Sequence, residues 1–211
     1  LAAIPILVRG DRAPSPPREA RLRGGALAFA RTTPHFFGAA VLFGLLETGG
    51  GSMLVSWGLA LQVSETEALT LAAAFAAGGL LFQPLFAYAA ERMAPERLMT
   101  VAALVCLAGA TAALSASALS FPLLMALLFF WGGPTAGLYI AALVAVGRRL
   151  EGPALAAANA ALVSGYGLGA LTGPLAMGVG LQQLGPNGLP LSVMVAALLY
   201  LPILARAAAR P

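Results

Sequence analysis

Long apolar stretches alternate with short polar ones along most of the chain, and this pattern predicts membrane-spanning helices. A helix needs roughly 20 mostly apolar residues to cross a bilayer. After residue 33, stretches that meet or approach this length are separated by turns rich in Gly, Pro, Ser or charged residues. The pattern predicts spans at about 35–62, 68–90, 98–117, 122–147, 154–181 and 191–205. The expected fold class is therefore all-α integral membrane, with a six-helix transmembrane bundle over residues 34–211.

The first 33 residues follow a different pattern. Residues 1–8, LAAIPILV, are apolar but would span only about 12 Å as a helix. We therefore expect them to be the tail of a preceding transmembrane helix. Residues 9–33 are rich in Pro, Gly and Arg, a composition typical of a linker between helical regions. Their arginines, and the sidedness described below, predict a cytoplasmic linker.

Composition agrees with a membrane protein. Hydrophobic residues make up 60% of the 211-residue chain, charged residues only 9%, and the mean hydropathy is +0.88. A net charge of +4 would suggest a nucleic-acid or acidic partner in a soluble protein. In so apolar a chain we expect the lipid bilayer as the main partner, and no nucleic acid.

The arginines give the predicted orientation. All twelve basic residues are arginine. With six spans, every arginine lies on one side of the membrane: in the linker, in the loops after the second and fourth spans, and at the C-terminus. By the positive-inside rule this side is cytoplasmic. We expect a multi-pass protein of the cell (inner) membrane with its linker and C-terminus in the cytoplasm.

Glu47 is the candidate functional residue that stands out most. It is the one carboxylate in the first predicted span and lies near its middle. An ionisable side chain at the bilayer centre costs about 2.5 to 3.5 kcal/mol on insertion scales, so such residues usually face a cavity or a partner. Helical spacing stacks Ala40, Gly44 and Gly51 on Glu47, which predicts a strip with room for water, a ligand or a close helix. The alternative is an acid held neutral by a hydrogen bond from a neighbouring helix.

The six predicted spans also form two triplets, which predicts two three-helix inverted repeats. The first span of each triplet contains a helix-weakening cluster about a dozen residues in, and paired interruptions of this kind point to a transporter's binding site near the membrane midplane. The fifth span has a ladder of small residues. Each cluster is either a hinge or only a site of helix packing. The candidate hinge residues are Gly49, Gly50, Gly51, Gly132, Gly133, Pro134, Gly169, Gly173 and Pro174.

Two motifs resemble those of the major facilitator superfamily. Its members carry Gly-x-x-x-Asp-Arg-x-Gly-Arg-Arg between the second and third helices of each half, and here Ala87–Glu96 occupies that place. Arg92 matches and Glu91 replaces Asp, whereas alanines replace the glycines and Pro95-Glu96 the last two arginines. Gly169-x-x-x-Gly173-Pro174 is similar to the family's Gly-rich antiporter signature. The chain resembles the C-terminal six-helix half, helices 7 to 12, preceded by the central linker.

The resemblance implies a secondary active transporter that moves a small organic solute by alternating access. It implies proton coupling, as symporter or antiporter, and a pathway shared with an N-terminal six-helix half or a second copy. Residues implied in substrate binding or proton coupling are Glu47, Thr48, Ser52, Thr135, Tyr139, Asn159 and Tyr166. Glu91, Arg92 and Arg97 would form a cytoplasmic gate. Alternatively, this loop is solvated, with an ion pair worth about 0 to 1 kcal/mol.

Enzyme classes fit the sequence poorly, so we expect no enzymatic activity. A rhomboid-type serine protease would need glycine at position 162, but the sequence reads Leu162-Val163-Ser164-Gly165. One histidine and one cysteine leave no plausible metal cluster, and a phosphate-binding loop with a lysine is impossible without lysine. We expect neither a metal nor a cofactor. The rival interpretation is a non-transporting six-helix membrane interaction module or the remnant of a split transporter gene.

Overall fold

A computed structural model describes residues 25–208, and these residues form helices joined by short turns, with no strand among them. A π-helical turn, Leu45–Gly50, joins the helices Pro34–Gly44 and Gly51–Ala60 without a break. The helices are α1 (Gly25–Thr32), α2 (Pro34–Gly44), α3 (Gly51–Ala60), α4 (Glu65–Leu81), α5 (Gln83–Arg92), α6 (Pro95–Ala113), α7 (Phe121–Arg149), α8 (Gly152–Leu184) and α9 (Gly188–Ala208).

Five helical stretches within residues 25–208 are long and apolar enough to cross a membrane. The last, Gly152–Ala208, contains both α8 and α9, which a 3₁₀ turn at Gly185–Asn187 separates. Gly185 has a φ of +58°, a left-handed conformation that glycine adopts readily. With 33 and 21 residues, α8 and α9 each reach the length of a span. The predicted all-α membrane bundle is confirmed.

The N-terminal boundaries differ from the sequence-based picture. The predicted helix tail at 1–8 and the linker up to residue 24 lie outside the described residues. Residues 25–32, assigned to the linker, instead form α1, which packs against α8. Their alanines favour a helix. The division of the chain into domains therefore stays a prediction.

Helix starts carry recognisable local signals. At the start of α4, the Ser64 hydroxyl accepts a hydrogen bond from the Glu67 backbone N–H at 3.3 Å, and the Glu67 carboxylate accepts one from the Ser64 N–H at 2.9 Å. This reciprocal capping box satisfies two amides that have no partner inside the helix. In α6, Pro95 occupies the first position, where its missing N–H costs nothing.

The helices pack in an exchanged pattern. The segment α2–α3, with its π-helical turn, packs against α8, whereas α7 packs against α4 and α5. The remaining pair, α6 and α9, also pack together. The first helix of each triplet thus contacts the second helix of the other triplet, and the two third helices meet. This is the packing expected of two related three-helix repeats.

Glycines make both exchanged contacts unusually close. A methyl group added at Gly169 of α8 would collide with the Val41 carbonyl oxygen, and one at Gly132 of α7 would collide with the Phe75 carbonyl oxygen. One at Gly173 would lie 2.6 Å from the Leu45 carbonyl oxygen. Backbone therefore touches backbone at both crossings, as in small-residue contacts of membrane helices.

Two tryptophans tie the bundle together through backbone oxygens. Trp57 donates its indole N–H to the Pro186 carbonyl at 2.6 Å, which fixes the end of α3 to the α8–α9 turn. Trp131 donates to the Cys106 carbonyl at 3.1 Å, which joins α7 to α6. Both side chains are buried, so these bonds satisfy donors that would otherwise be costly in an apolar interior.

The outer surface of the bundle is strongly apolar. Leu171, Leu175 and Leu199 are 74%, 71% and 69% exposed. A water-soluble monomer rarely exposes large contiguous apolar surface. This surface matches the hydrocarbon of a bilayer.

The close crossing predicts different effects for two neighbouring glycines of α8. We expect Gly169→Ala to lower the free energy of unfolding by about 1 to 3 kcal/mol, because its methyl group must displace the α2 backbone. The control is Gly167→Ala, whose methyl group would meet nothing within 4 Å. It should be neutral or stabilising by up to about 1 kcal/mol, since alanine favours the helix. Thermal unfolding in detergent, followed by tryptophan fluorescence, compares them, and equal stabilities would contradict the close crossing.

Candidate functional site

Glu47 lies inside the π-helical turn Leu45–Gly50 and is exposed on the surface of the bundle. Such turns are rare and occur frequently at functional sites. The neighbouring sequence, Gly49-Gly50-Gly51, has low helix propensity and tolerates the wider turn. A carboxylate thus stands on a locally altered helix, near the middle of a membrane-spanning segment.

The residues predicted to stack on Glu47 have different surroundings in the structure. Regular helical spacing predicted a strip of Ala40, Gly44 and Gly51 with room for water, a ligand or a close helix. In the structure, Ala40 is buried, and a methyl group at Gly44 would collide with the Tyr166 carbonyl oxygen. A methyl group at Gly51 would meet nothing within 4 Å. Gly44 therefore admits a close helix, α8, whereas Gly51 provides open space beside the cavity.

Glu47 is held by a tyrosine from α8. The Tyr166 hydroxyl donates a 2.6 Å hydrogen bond to Oε2 of Glu47. The rings of Phe43, Tyr139 and Tyr166 form one cluster beside it. The centroid of Phe43 lies 5.3 Å from that of Tyr139 and 5.7 Å from that of Tyr166, and the two tyrosine centroids are 6.1 Å apart. The structure therefore brings together three of the predicted site residues: Glu47, Tyr139 and Tyr166.

A cavity of about 270 Å³ lies beside Glu47, lined by residues of α2–α3, α4, α5 and α7. Phe43 and Phe75 are its aromatic lining residues, and Gln83 and Thr135 are polar ones. Glu47 thus lines the cavity, and its carboxylate also accepts the hydrogen bond from Tyr166.

The other four predicted site residues have different surroundings. Thr48 is half-buried, and its side chain interacts with that of Tyr166. Thr135 lines the cavity, and its hydroxyl is occupied by a 2.6 Å hydrogen bond to the Gly132 carbonyl. Ser52 is exposed two residues beyond the π-helical turn, and its hydroxyl donates a 3.3 Å hydrogen bond to the Gly49 carbonyl. Asn159 is exposed two turns before Tyr166 on the same face of α8, outside the aromatic cluster.

The candidate hinges behave in two ways. Gly49 and Gly50 lie in the π-helical turn, and Gly51 begins α3. By contrast, α7 runs without a break through Gly132, Gly133 and Pro134, so the interruption expected there is absent. Its glycines admit neighbours instead, since methyl groups on them would collide with Phe75 and lie 2.7 Å from the Phe82 ring. Gly169, Gly173 and Pro174 likewise lie within an unbroken α8, at its crossing with α2.

Comparison with known families decides what kind of protein this geometry belongs to. The family model described as Major Facilitator Superfamily matches residues 36–211. The chain belongs to the Major Facilitator Superfamily. No curated protein and no solved structure matches the chain.

Membership in the superfamily makes the chain a membrane transporter in general terms and confirms the resemblance seen in its motifs. Glu47, Phe43 and Tyr166 all lie within the matched residues. The site therefore belongs to the membrane-embedded part of a transporter.

In the superfamily loop, Glu91 and Arg92 make contacts other than an ion pair of the expected cytoplasmic gate. Arg148 of α7 donates a 2.6 Å hydrogen bond to the Glu91 backbone carbonyl. The Arg92 guanidinium lies 3.6 Å from the centroid of the Tyr88 ring. Both contacts lie at the arginine-rich end of the bundle.

The ion pairs at this end centre on Glu96. Its Oε1 lies 3.8 Å from Nη2 of Arg149 and 3.9 Å from Nε2 of His35. All three line a cavity of about 1040 Å³, together with Arg97 and Arg206. Of the predicted gate residues, only Arg97 lines this cavity.

Sequence reasoning did not select Phe43, Gln83 or Glu96. Phe43 lies four residues before Glu47, a spacing that could have suggested contact across one turn. Gln83 carries an amide in a largely apolar span. A polar side chain is costly to place in a membrane, so this residue could have been selected from the sequence as a candidate. Glu96 was noted only as a departure from the loop signature, because its contact with α7 depends on the tertiary structure.

The hydrogen bond between Tyr166 and Glu47 predicts a measurable coupling. We expect Tyr166→Phe to lower the free energy of unfolding by about 0.6 to 1.7 kcal/mol, the range for such bonds between membrane helices. Tyr139→Phe is the matched control, because its ring contacts Phe43 and no hydrogen bond joins its hydroxyl to another described residue.

Unfolding in mixed micelles measures both variants, alone and combined with Glu47→Ala. The double-mutant cycle should give a coupling for Tyr166 and close to none for the Tyr139 hydroxyl. Equal couplings would contradict the assigned hydrogen bond.

Proposed function

We propose that this chain is the C-terminal half, helices 7 to 12, of a proton-coupled secondary active transporter. It moves a small organic solute by alternating access, as symporter or antiporter. The observation that carries the proposal is the hydrogen bond from Tyr166 to Glu47, a carboxylate placed in a π-helical turn of a membrane-spanning segment. Superfamily membership supports transport in general.

The position of Glu47 argues for a role in the pathway. A carboxylate that faced lipid would add about 2.5 to 3.5 kcal/mol to insertion, so such residues occur where they meet water, a ligand or another polar group. Glu47, Asn159 and Ser52 are all exposed on the described bundle. A polar surface in a membrane needs cover. We infer that an N-terminal six-helix half, or a second copy, covers it and encloses the pathway between the two bundles.

Proton coupling follows from the chemistry of a carboxyl group. Glu47 can carry a proton or a negative charge, and Tyr166 remains a donor to it in both forms. When the site opens to one side, water reaches the carboxyl group and exchanges its proton. When it opens to the other side, the proton leaves there. Thr48 and Tyr139 flank this exchange, while Thr135 and the cavity supply the place for the solute.

The arginine-rich end supplies candidates for the cytoplasmic gate. Glu91, Arg92 and Arg97 remain our proposed gate residues, and the contact from Arg148 to Glu91 extends the gate to α7. Alternating access needs contacts that break and remake as the bundles rock. Exposed ion pairs and a single charge-assisted hydrogen bond suit this purpose, because each is worth only about 0 to 3 kcal/mol.

Replacing Glu47 with Gln tests the coupling. The transporter, expressed from its complete reading frame, is reconstituted in liposomes that contain a pH-sensitive dye, and a panel of small organic solutes is added. We expect solute-driven proton flux in the wild type and background flux in Glu47→Gln, because the amide keeps the shape but cannot release a proton.

Glu65→Gln is the control, since Glu65 begins α4 at the end of the bundle and should leave the flux unchanged. Unchanged flux in Glu47→Gln would remove Glu47 from the mechanism. Absence of flux with every solute in the wild type would favour the non-transporting interaction module.

The two ends of α8 test the proposed orientation in the inner membrane. Cys106, the only cysteine of these 211 residues, is fully buried. In the complete transporter, with any cysteine outside these residues replaced by serine, an impermeant maleimide should therefore report only an added cysteine. Glu151 and Asn187 are exposed and flank α8. In intact cells or spheroplasts we expect labelling of Asn187→Cys but not of Glu151→Cys, and labelling of both after permeabilisation. The reverse pattern would invert the topology.

A further inference from the structure

Glu47 is remote from the basic side chains of the described bundle. Glu47 is in the middle of a span, whereas the described arginines lie at or near helix ends: Arg31, Arg92, Arg97, Arg148, Arg149 and Arg206. His35, at the start of α2, is about 18 Å from Glu47 along the helix. The ion pairs found among the described residues are at Glu96. Glu47 therefore has an acid's charge and a phenol as hydrogen-bond partner, with no ion pair to a basic side chain of residues 25–208.

The cavity beside Glu47 likewise has an acidic side chain in its lining and no basic one. It is lined by apolar residues, by Gln83 and Thr135 and by the single carboxylate, and no basic side chain lines it. An anionic solute would meet a like charge there and no compensating donor of positive charge. A cation would meet an opposite charge, and the interaction would be strong once the second bundle inferred above covers the site and lowers the local dielectric constant.

Aromatic rings complete the site. Phe43 and Phe75 line the cavity on the side of α2 and α4. The face of an aromatic ring attracts a cation, and quaternary ammonium groups are commonly bound by such rings next to an acid. The hydrogen bond from Tyr166 holds the Glu47 side chain in place. The site therefore offers one acidic side chain and two aromatic ones.

The size of the cavity limits the solute. Its volume, about 270 Å³, lies just below the range of roughly 300 to 1,000 Å³ that is typical of drug-sized ligands. A compact molecule with one charged nitrogen and a short apolar part would fill it.

We propose that the cavity beside Glu47 binds a small organic cation, an alkyl- or arylammonium ion. Its nitrogen pairs with the Glu47 carboxylate, and its apolar part packs against Phe43 and Phe75. This inference deepens the proposed transporter function and rests on it for the fate of the bound cation. Cation and proton then compete for one carboxylate, so binding of the cation displaces the proton from Glu47.

The test uses the transporter expressed from its complete reading frame, in lipid nanodiscs, with radiolabelled benzyltrimethylammonium as the probe. We expect saturable binding in the millimolar range or tighter, stronger at high pH than at low pH. Glu47→Gln should weaken it by about 30-fold or more, as expected for loss of one partner of a charge pair that the second bundle inferred above covers. Glu47→Asp should weaken it less, and Glu65→Gln not at all.

Two further comparisons separate recognition of the cation from general apolar binding. Phe75→Leu keeps an apolar wall but loses the ring face, and we expect about 2- to 5-fold weaker binding. Phenylacetate has a similar ring and the opposite charge, and it should not compete. Thermal unfolding of each variant, matched to the wild type, verifies that the bundle is intact.

Binding that is equal in the wild type and in folded Glu47→Gln would overturn the inference. So would competition by phenylacetate, or lack of saturable binding of both benzyltrimethylammonium and tetramethylammonium at millimolar concentrations. The two proposals fail separately. Glu47-dependent proton flux driven only by neutral or anionic solutes would overturn the cation site but not the transporter. Glu47-dependent cation binding without any solute flux would overturn the transporter but not the site.

Discussion

The close crossing of α2 and α8 is the constraint on which the site depends. At Gly169 and Gly173 the backbone of α8 lies against that of Val41 and Leu45, with no room for a side chain between them. The π-helical turn begins at Leu45, at this same crossing. Because the two backbones are fixed here, the wider turn cannot shift α2 and instead sets where Glu47 emerges. Tyr166, one turn before Gly169, is thereby brought within hydrogen-bond distance of the carboxylate.

The second crossing, of α4 and α7, shows what is shared and what is not. It also brings backbone to backbone, at Gly132 and Phe75, as expected when lipid provides no hydrophobic drive and close packing must hold helices together. Yet α7 remains a regular helix through Pro134, whereas α2–α3 contains the π-helical turn. Two related repeats therefore use the same contact, but only one carries the altered turn and the carboxylate. The contact that both repeats share forms the scaffold. The π-helical turn and Glu47, which only one repeat has, form the candidate site.

The sequence predicted the scaffold well because membrane crossing leaves a strong local signal. Runs of apolar residues, the glycines of α8 and the loop around Glu91 and Arg92 were sufficient to indicate an all-helical bundle and its family. The details of the site depend on contacts between distant residues. Three glycines after Glu47 indicated a weak point, but not that it would be a π-helical turn. The glycines and proline of α7 predicted an interruption, because sequence cannot distinguish a glycine that bends a helix from one that admits a neighbour.

The same distinction explains why Glu47, but not Glu96, was identified from sequence. An acid in the middle of an apolar span is unusual wherever the span packs, whereas an acid in a charged loop acquires meaning only from its contacts with His35 and Arg149. The two acids therefore suit different tasks. Glu96 has basic partners in its own bundle, so its charge is already balanced there. Glu47 has none among the described residues. In the transporter proposed above, a proton or a cationic solute balances its charge, and a single carboxylate that accepts one or the other would couple the movement of the two.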